Sequence, residues 1–89
     1  MEQFIIVTNQ LLTSETTNLY SNNSGVVVKT VLLFNQKEDT TKATLFFDGI
    51  AFDYTLPPKD TYIISSPILT KEIKAVGESV NIHITGLQL

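Results

Sequence analysis

The chain contains one histidine, His83, and no cysteine, so acid–base or metal chemistry would have to rest on His83 and the nine aspartates and glutamates. General acid–base catalysis needs an imidazole oriented by a second group inside a pocket. His83 stands instead between Asn81 and Thr85 in an alternating stretch, with no orienting group in view. A metal site needs several His, Cys or carboxylate ligands converging, and no such spacing occurs here. Asp48 and Asp53 flank a turn and read as solvated surface carboxylates. Ser65-Ser66 lacks the Gly-x-Ser-x-Gly setting that raises a nucleophile on a strand–turn–helix. Gly25, Gly49, Gly77 and Gly86 are dispersed at turns and strand ends, so no phosphate-cradling loop is formed. The expectation is a protein that is not an enzyme and carries no cofactor or metal.

The elements that would carry these residues are strands. Val, Ile, Thr, Phe and Tyr dominate, hydrophobicity repeats with a period of two, and no capped 3.6-residue stripe is present. The pattern predicts about seven or eight short strands separated by turns of Asn, Ser, Pro, Gly and Asp. The first runs near Phe4–Leu12 and a short one near Thr17–Tyr20. Ser21-Asn22-Asn23-Ser24-Gly25 reads as a turn, because Asn and Gly tolerate positive φ. In the next strand, over 25–35, simple alternation puts Val26, Val28, Leu32 and Phe34 on one face and Val27, Val31 and Leu33 on the other.

Asp48-Gly49 favours a two-residue type I′ turn, which fixes a register. Phe47 then faces Ile50, Leu45 faces Phe52 and Ala43 faces Tyr54, while Phe46 with Ala51 and Thr44 with Asp53 take the other side. Leu56-Pro57-Pro58-Lys59-Asp60 ends that hairpin, since prolines cannot donate to a ladder. A strand over 60–66 follows, with Tyr62 and Ile64 on one face, and Pro67 breaks it. Residues 68–75 fit an irregular strand or one short helical turn. After a Val76-Gly77-Glu78-Ser79 turn, the last strand puts Val80, Ile82 and Ile84 inward and Asn81, His83 and Thr85 outward. The expected fold is all-β: a single small antiparallel β-sandwich over 1–89, jelly-roll-like or Ig-like.

Composition narrows the partners. Eighty-nine residues with 43% hydrophobic content make one domain with one core. Without disulfides, a domain of this size is expected to fold inside a cell and to draw some stability from partner subunits. The net charge is −3, with scattered lysines and no arginine. That argues against nucleic acid, which selects a basic face and arginine forks. The start, Met1-Glu2-Gln3-Phe4-Ile5-Ile6-Val7, has no positive segment and only a short apolar run, so it does not read as a signal peptide. No stretch approaches the roughly 20 apolar residues of a membrane span, and the Asn22-Asn23-Ser24 sequon has no meaning without secretion. Neither a membrane nor a small-molecule substrate is expected.

Apolar residues in surplus of one core carry the remaining signal. Phe4 and Ile6 in the first strand, Leu32 and Phe34 in the central one, and Phe46 opposite the hairpin's core face are candidate oligomer-interface residues, because contiguous exposed apolar surface marks association. Tyr20, Asn22 and Asn23 gather a tyrosine and amides near one loop. They are candidates for a ligand-contact surface.

The order of features along residues 11–89 resembles that of small β-sandwich structural proteins in tailed bacteriophage virions. The similar pieces are Leu12-Thr13-Ser14-Glu15-Thr16-Thr17-Asn18-Leu19-Tyr20, then Val27-Val28-Lys29-Thr30-Val31-Leu32-Leu33-Phe34-Asn35 before a polar loop. The strand Ala43-Thr44-Leu45-Phe46-Phe47 and the segment Leu56-Pro57-Pro58-Lys59-Asp60-Thr61 follow. Ser66-Pro67-Ile68-Leu69, Val76-Gly77-Glu78-Ser79-Val80 and Ile82-His83-Ile84-Thr85-Gly86-Leu87 complete the series. The paired prolines 57 and 58 stand where a glycine is more usual, and 69–76 is longer than typical. The resemblance implies a capsid decoration, head–tail connection or tail/fibre component, a homo-oligomer contacting other virion proteins. It would reside in the virion after synthesis in the host bacterial cytoplasm. The alternative is a β-sandwich module binding carbohydrate or a host protein.

Overall fold

The computed structural model describes residues 3–89. They form an all-β domain in which one antiparallel sheet of seven strands folds over on itself as a small β-sandwich. The strands are β1 (Gln3–Leu12), β2 (Thr17–Asn35), β3 (Thr41–Phe47), β4 (Ile50–Leu56), β5 (Thr61–Ile64), β6 (Ile68–Gly77) and β7 (Val80–Gln88). The sheet runs β1-β7-β2-β6-β3-β4, with β5 on β2 as well.

The fold turns on β2. Along one edge it meets β6 through Thr17–Val28 and then β5 through Val31–Phe34. β7 holds its other edge from Val26 to Asn35. One layer is therefore β4-β3-β6 with the first half of β2, and the other is β1-β7 with the second half of β2 and β5. Between them lie Val31, Leu33, Leu45, Leu56, Ile73, Ile82 and Ile84, all fully buried. Removing that much branched apolar surface from water is the main stabilising term.

Two sequence-based expectations are corrected in β2. Ser21–Gly25 does not separate two strands. Ser21 faces Glu72 and Val26 faces Thr70, so the extra residues loop out as a bulge within a continuous 19-residue strand. Gly25 takes φ 88° there, and the Asn22 side chain accepts the Ser24 N–H at 2.8 Å. A further register shift, in the pairing with β7, falls between Val28 and Thr30. One extra residue reverses which side chains face inward, so the buried set is Val26, Val28, Val31 and Leu33, while Leu32 and Phe34 face out.

Other expectations hold. The Asp48-Gly49 hairpin has the register read from its turn at every pair, with φ 53° at Asp48 and 85° at Gly49. Val80, Ile82 and Ile84 are buried on β7. The irregular segment after Pro67 is strand β6, not a helical turn.

Asn35 is buried where β2 ends, and it ties two loops to the core. Its amide nitrogen donates to the carbonyls of Asp39, Leu56 and Pro57 at 2.8, 3.1 and 3.0 Å, and its Oδ1 accepts the Lys37 N–H at 2.8 Å. A buried polar side chain is tolerated when its partners are supplied in this way.

Candidate association surfaces

Strand register assembles the first surface row by row on the outer side of the β1-β7-β2-β5 layer. Phe4 lies beside Leu87 and Val27, and Ile6 beside Thr85 and Thr30. Asn9, His83, Leu32 and Ile63 form the next row, and Leu11, Asn81, Phe34 and Thr61 the last. Four of the five candidate interface residues, Phe4, Ile6, Leu32 and Phe34, are therefore brought onto one face. Phe46 is not among them. It faces outward on the other layer, between Ala51 and Lys74.

Phe4 and Ile6 are each 63% exposed, Leu11 50% and Ile63 62%. A shallow concavity of about 430 Å³ between β1 and β5 is floored by Leu11, Leu32 and Phe34 and rimmed by Asn9, Gln10, Asn81 and His83. His83 is half-buried in this rim. None of the four rows contains Asp or Glu, and the one charged residue among them, Lys29, lies at the β2 register shift between the Val27 and Thr30 rows. The ion pairs Lys37–Glu78, Lys59–Glu38 and Lys74–Glu72 involve other residues. Apolar centre, amide rim and absence of carboxylates suit contact with another protein surface.

A second apolar surface escaped the sequence reading. Ile50, Phe52 and Tyr54 are on the side of β4 that should meet the opposite layer, but that layer stops at the four-residue β5. Ile50 remains 63% exposed, Phe52 46% and Leu69, on β6, 67%. With Phe47 and Ile68 they line a groove of about 380 Å³. Phe52 tilts against Phe47 with ring centroids 6.0 Å apart, and Tyr54 against Tyr62 at 5.3 Å. Partial burial, with Tyr62 second, raises the Tyr54 hydroxyl above its ordinary pKa. Alternation alone could not show this exposure, because it depends on the length of a strand in the other layer.

The candidate ligand-contact residues are taken up partly by internal bonds. The Tyr20 hydroxyl donates to the Gln88 side-chain carbonyl at 2.5 Å, and the Gln88 amide donates to the Gly25 carbonyl at 3.2 Å. Asn22 holds the bulge, and Asn23 is exposed. Among the described residues, no three His, Cys, Asp or Glu side chains gather as metal ligands, and no helix is long and apolar enough to cross a membrane. No family model matches the chain, and no curated protein matches it.

Proposed function

We propose that the protein is a non-catalytic assembly module that associates with its own copies through the outer face of the β1-β7-β2-β5 layer. The carrying observation is that Phe4, Ile6, Leu32 and Phe34 share that face, beside Leu11 and Ile63, while the inner face of the same layer already fills a complete core. Covering such a patch removes apolar surface from water at about 25 cal/mol per Å². With Lys29 as the one charged residue between its rows, the face keeps the desolvation cost of bringing two copies together low.

The resemblance in feature order supports placing this module among the structural proteins of bacteriophage virions, where it would contact other virion proteins as well as itself. It adds a setting; the apolar face supplies the physical argument.

The test is a pair of outer-face substitutions, Ile6→Lys and Leu32→Lys, compared with wild type by sedimentation velocity. Both sites are outside the core, so the variants should fold, and each should weaken association on the order of tenfold or more, as buried unpaired charges do. Unchanged association in both would remove this face from the account. The setting is tested separately, by mass spectrometry of purified virions of the phage whose genome encodes the chain. Its absence from those particles would reject the virion assignment.

A further inference from the structure

From the free edge of β4 we infer a second contact: two copies pair antiparallel along this strand, with Phe52 on the two-fold axis. The hairpin geometry sets which backbone groups are available. Ile50 faces Phe47 across a two-residue turn, so these residues exchange backbone hydrogen bonds, as do Phe52 with Leu45 and Tyr54 with Ala43. The N–H and C=O of Ala51, Asp53 and Thr55 consequently point away from β3. Among the described residues, no strand pairs with that edge.

β4 also lacks most of the usual guards of an edge strand. It contains no Pro or Lys, its one charged residue is Asp53, and its register with β3 has no bulge, whereas β1 has a register shift between Ile6 and Thr8 and β5, which pairs only with β2, is four residues long. Its exposed side chains add a motive for pairing, since Ile50 and Phe52 stand beside the free edge over the Phe47–Leu69 groove.

A second copy of the same strand completes this surface in one register better than in its neighbours. A two-fold pairing must keep side chains on matching faces, so the axis passes through a residue near the middle of β4; with Tyr54 there, Phe52 would meet Leu56, which is already fully buried, and the exposed Ile50 would go unpaired. With Asp53 on the axis, two carboxylates oppose each other, which is destabilising. With Ala51 on the axis, only residues 50–52 of each strand pair before the turn intervenes. With Phe52 on the axis, Phe52 meets its counterpart, Ile50 meets Tyr54, and Ala51 meets Asp53. All apolar contacts then fall on the groove side and no like charges face each other. The β4-β3-β6-β2 layer becomes one sheet continuous across the dimer. This contact is separate from the outer-face contact, so a chain using both would have two different self-interfaces, which close into a discrete assembly under dihedral symmetry.

Single-cysteine cross-linking tests the register directly, because the chain has no cysteine of its own. In the proposed pairing the two Phe52 Cα atoms lie about 4.5 Å apart, within disulfide range. The two Thr55 Cα atoms lie about 20 Å apart. Phe52→Cys should form a covalent dimer on mild oxidation at least about tenfold faster than Thr55→Cys, the advantage of an intramolecular effective concentration. Adding Ala51→Pro, which removes an outward N–H that β3 does not use, should abolish that advantage. Adding Leu32→Lys should leave it intact. Equal rates for Phe52→Cys and Thr55→Cys, or an advantage insensitive to Ala51→Pro, would overturn the edge pairing without touching the outer-face reading.

Discussion

Asp48 and Glu72 are joined twice: the Asp48 carboxylate accepts the Glu72 N–H at 2.9 Å, and the Asp48 N–H donates to the Glu72 carbonyl at 3.0 Å. The same carboxylate oxygen accepts the Lys71 N–H at 2.9 Å. A turn residue thus fastens the β3–β4 hairpin to β6 and holds the base of the Phe47–Leu69 groove.

These bonds make the hairpin sensitive to acid. The Lys71 N–H, followed by that of Glu72, holds the Asp48 carboxyl below its ordinary value of 3.8. A depressed folded-state pKa contributes stability above the unfolded value and loses it as pH falls through the folded value. Asp48→Asn keeps the turn preference and a carbonyl acceptor but removes the charge. Its Tm should be lower than wild type at neutral pH, and the gap should close as pH falls below about 3.8. Thermal denaturation of both proteins across pH 2–7 measures this, and a gap of constant size would contradict it.

Asn35 should tolerate little. Asn35→Ala leaves the carbonyls of Asp39, Leu56 and Pro57 and the Lys37 N–H without their side-chain partner. Unpaired buried groups cost about 1–3 kcal/mol each, and relaxation towards water at the loop ends will recover part of that. A loss of about 3 kcal/mol is expected from urea denaturation. A change below about 1 kcal/mol would show that the loops are held by other contacts.

The close approach of β7 to β2 makes a different prediction. A Cβ on Gly86 would collide with the Val27 carbonyl oxygen and crowd Val28 Cα. Backbone on both sides cannot yield as a flexible side chain would, so Gly86→Ala should cost about 3 kcal/mol, at the upper end of overpacking penalties. Gly49 has nothing within 4 Å of a Cβ, so its constraint is the φ of 85° alone. Gly49→Ala should cost less, about 1–2 kcal/mol. The order of these two variants in urea midpoint checks the distinction.

Where the sequence was legible, a local rule governed the structure. Asp48-Gly49 specified a turn, and the turn specified every pair from Phe47–Ile50 to Ala43–Tyr54. Val80, Ile82 and Ile84 alternate with Asn81, His83 and Thr85, so their facing had contrast. β2 offered little such contrast, because it is apolar on both faces on either side of Lys29-Thr30; that polar pair coincides with the register shift, but strict alternation carries straight across it. The outer face was legible as a surplus of Phe and Ile residues, but its membership was not. Leu32 and Phe34 join Phe4 and Ile6 only through the pairing of β1 and β2 with β7. The groove at Phe52 was hidden for a longer-range reason, the early end of β5.

Association is the central claim, and mass in solution tests it most directly. Light scattering after size exclusion, on wild type over a concentration series from micromolar to millimolar, should show a discrete species at a multiple of the chain mass. That species should persist on dilution further than in Ile6→Lys. A monomer at every concentration would contradict both the outer-face and the β4-edge contacts, and leave the exposed apolar residues without the role assigned to them.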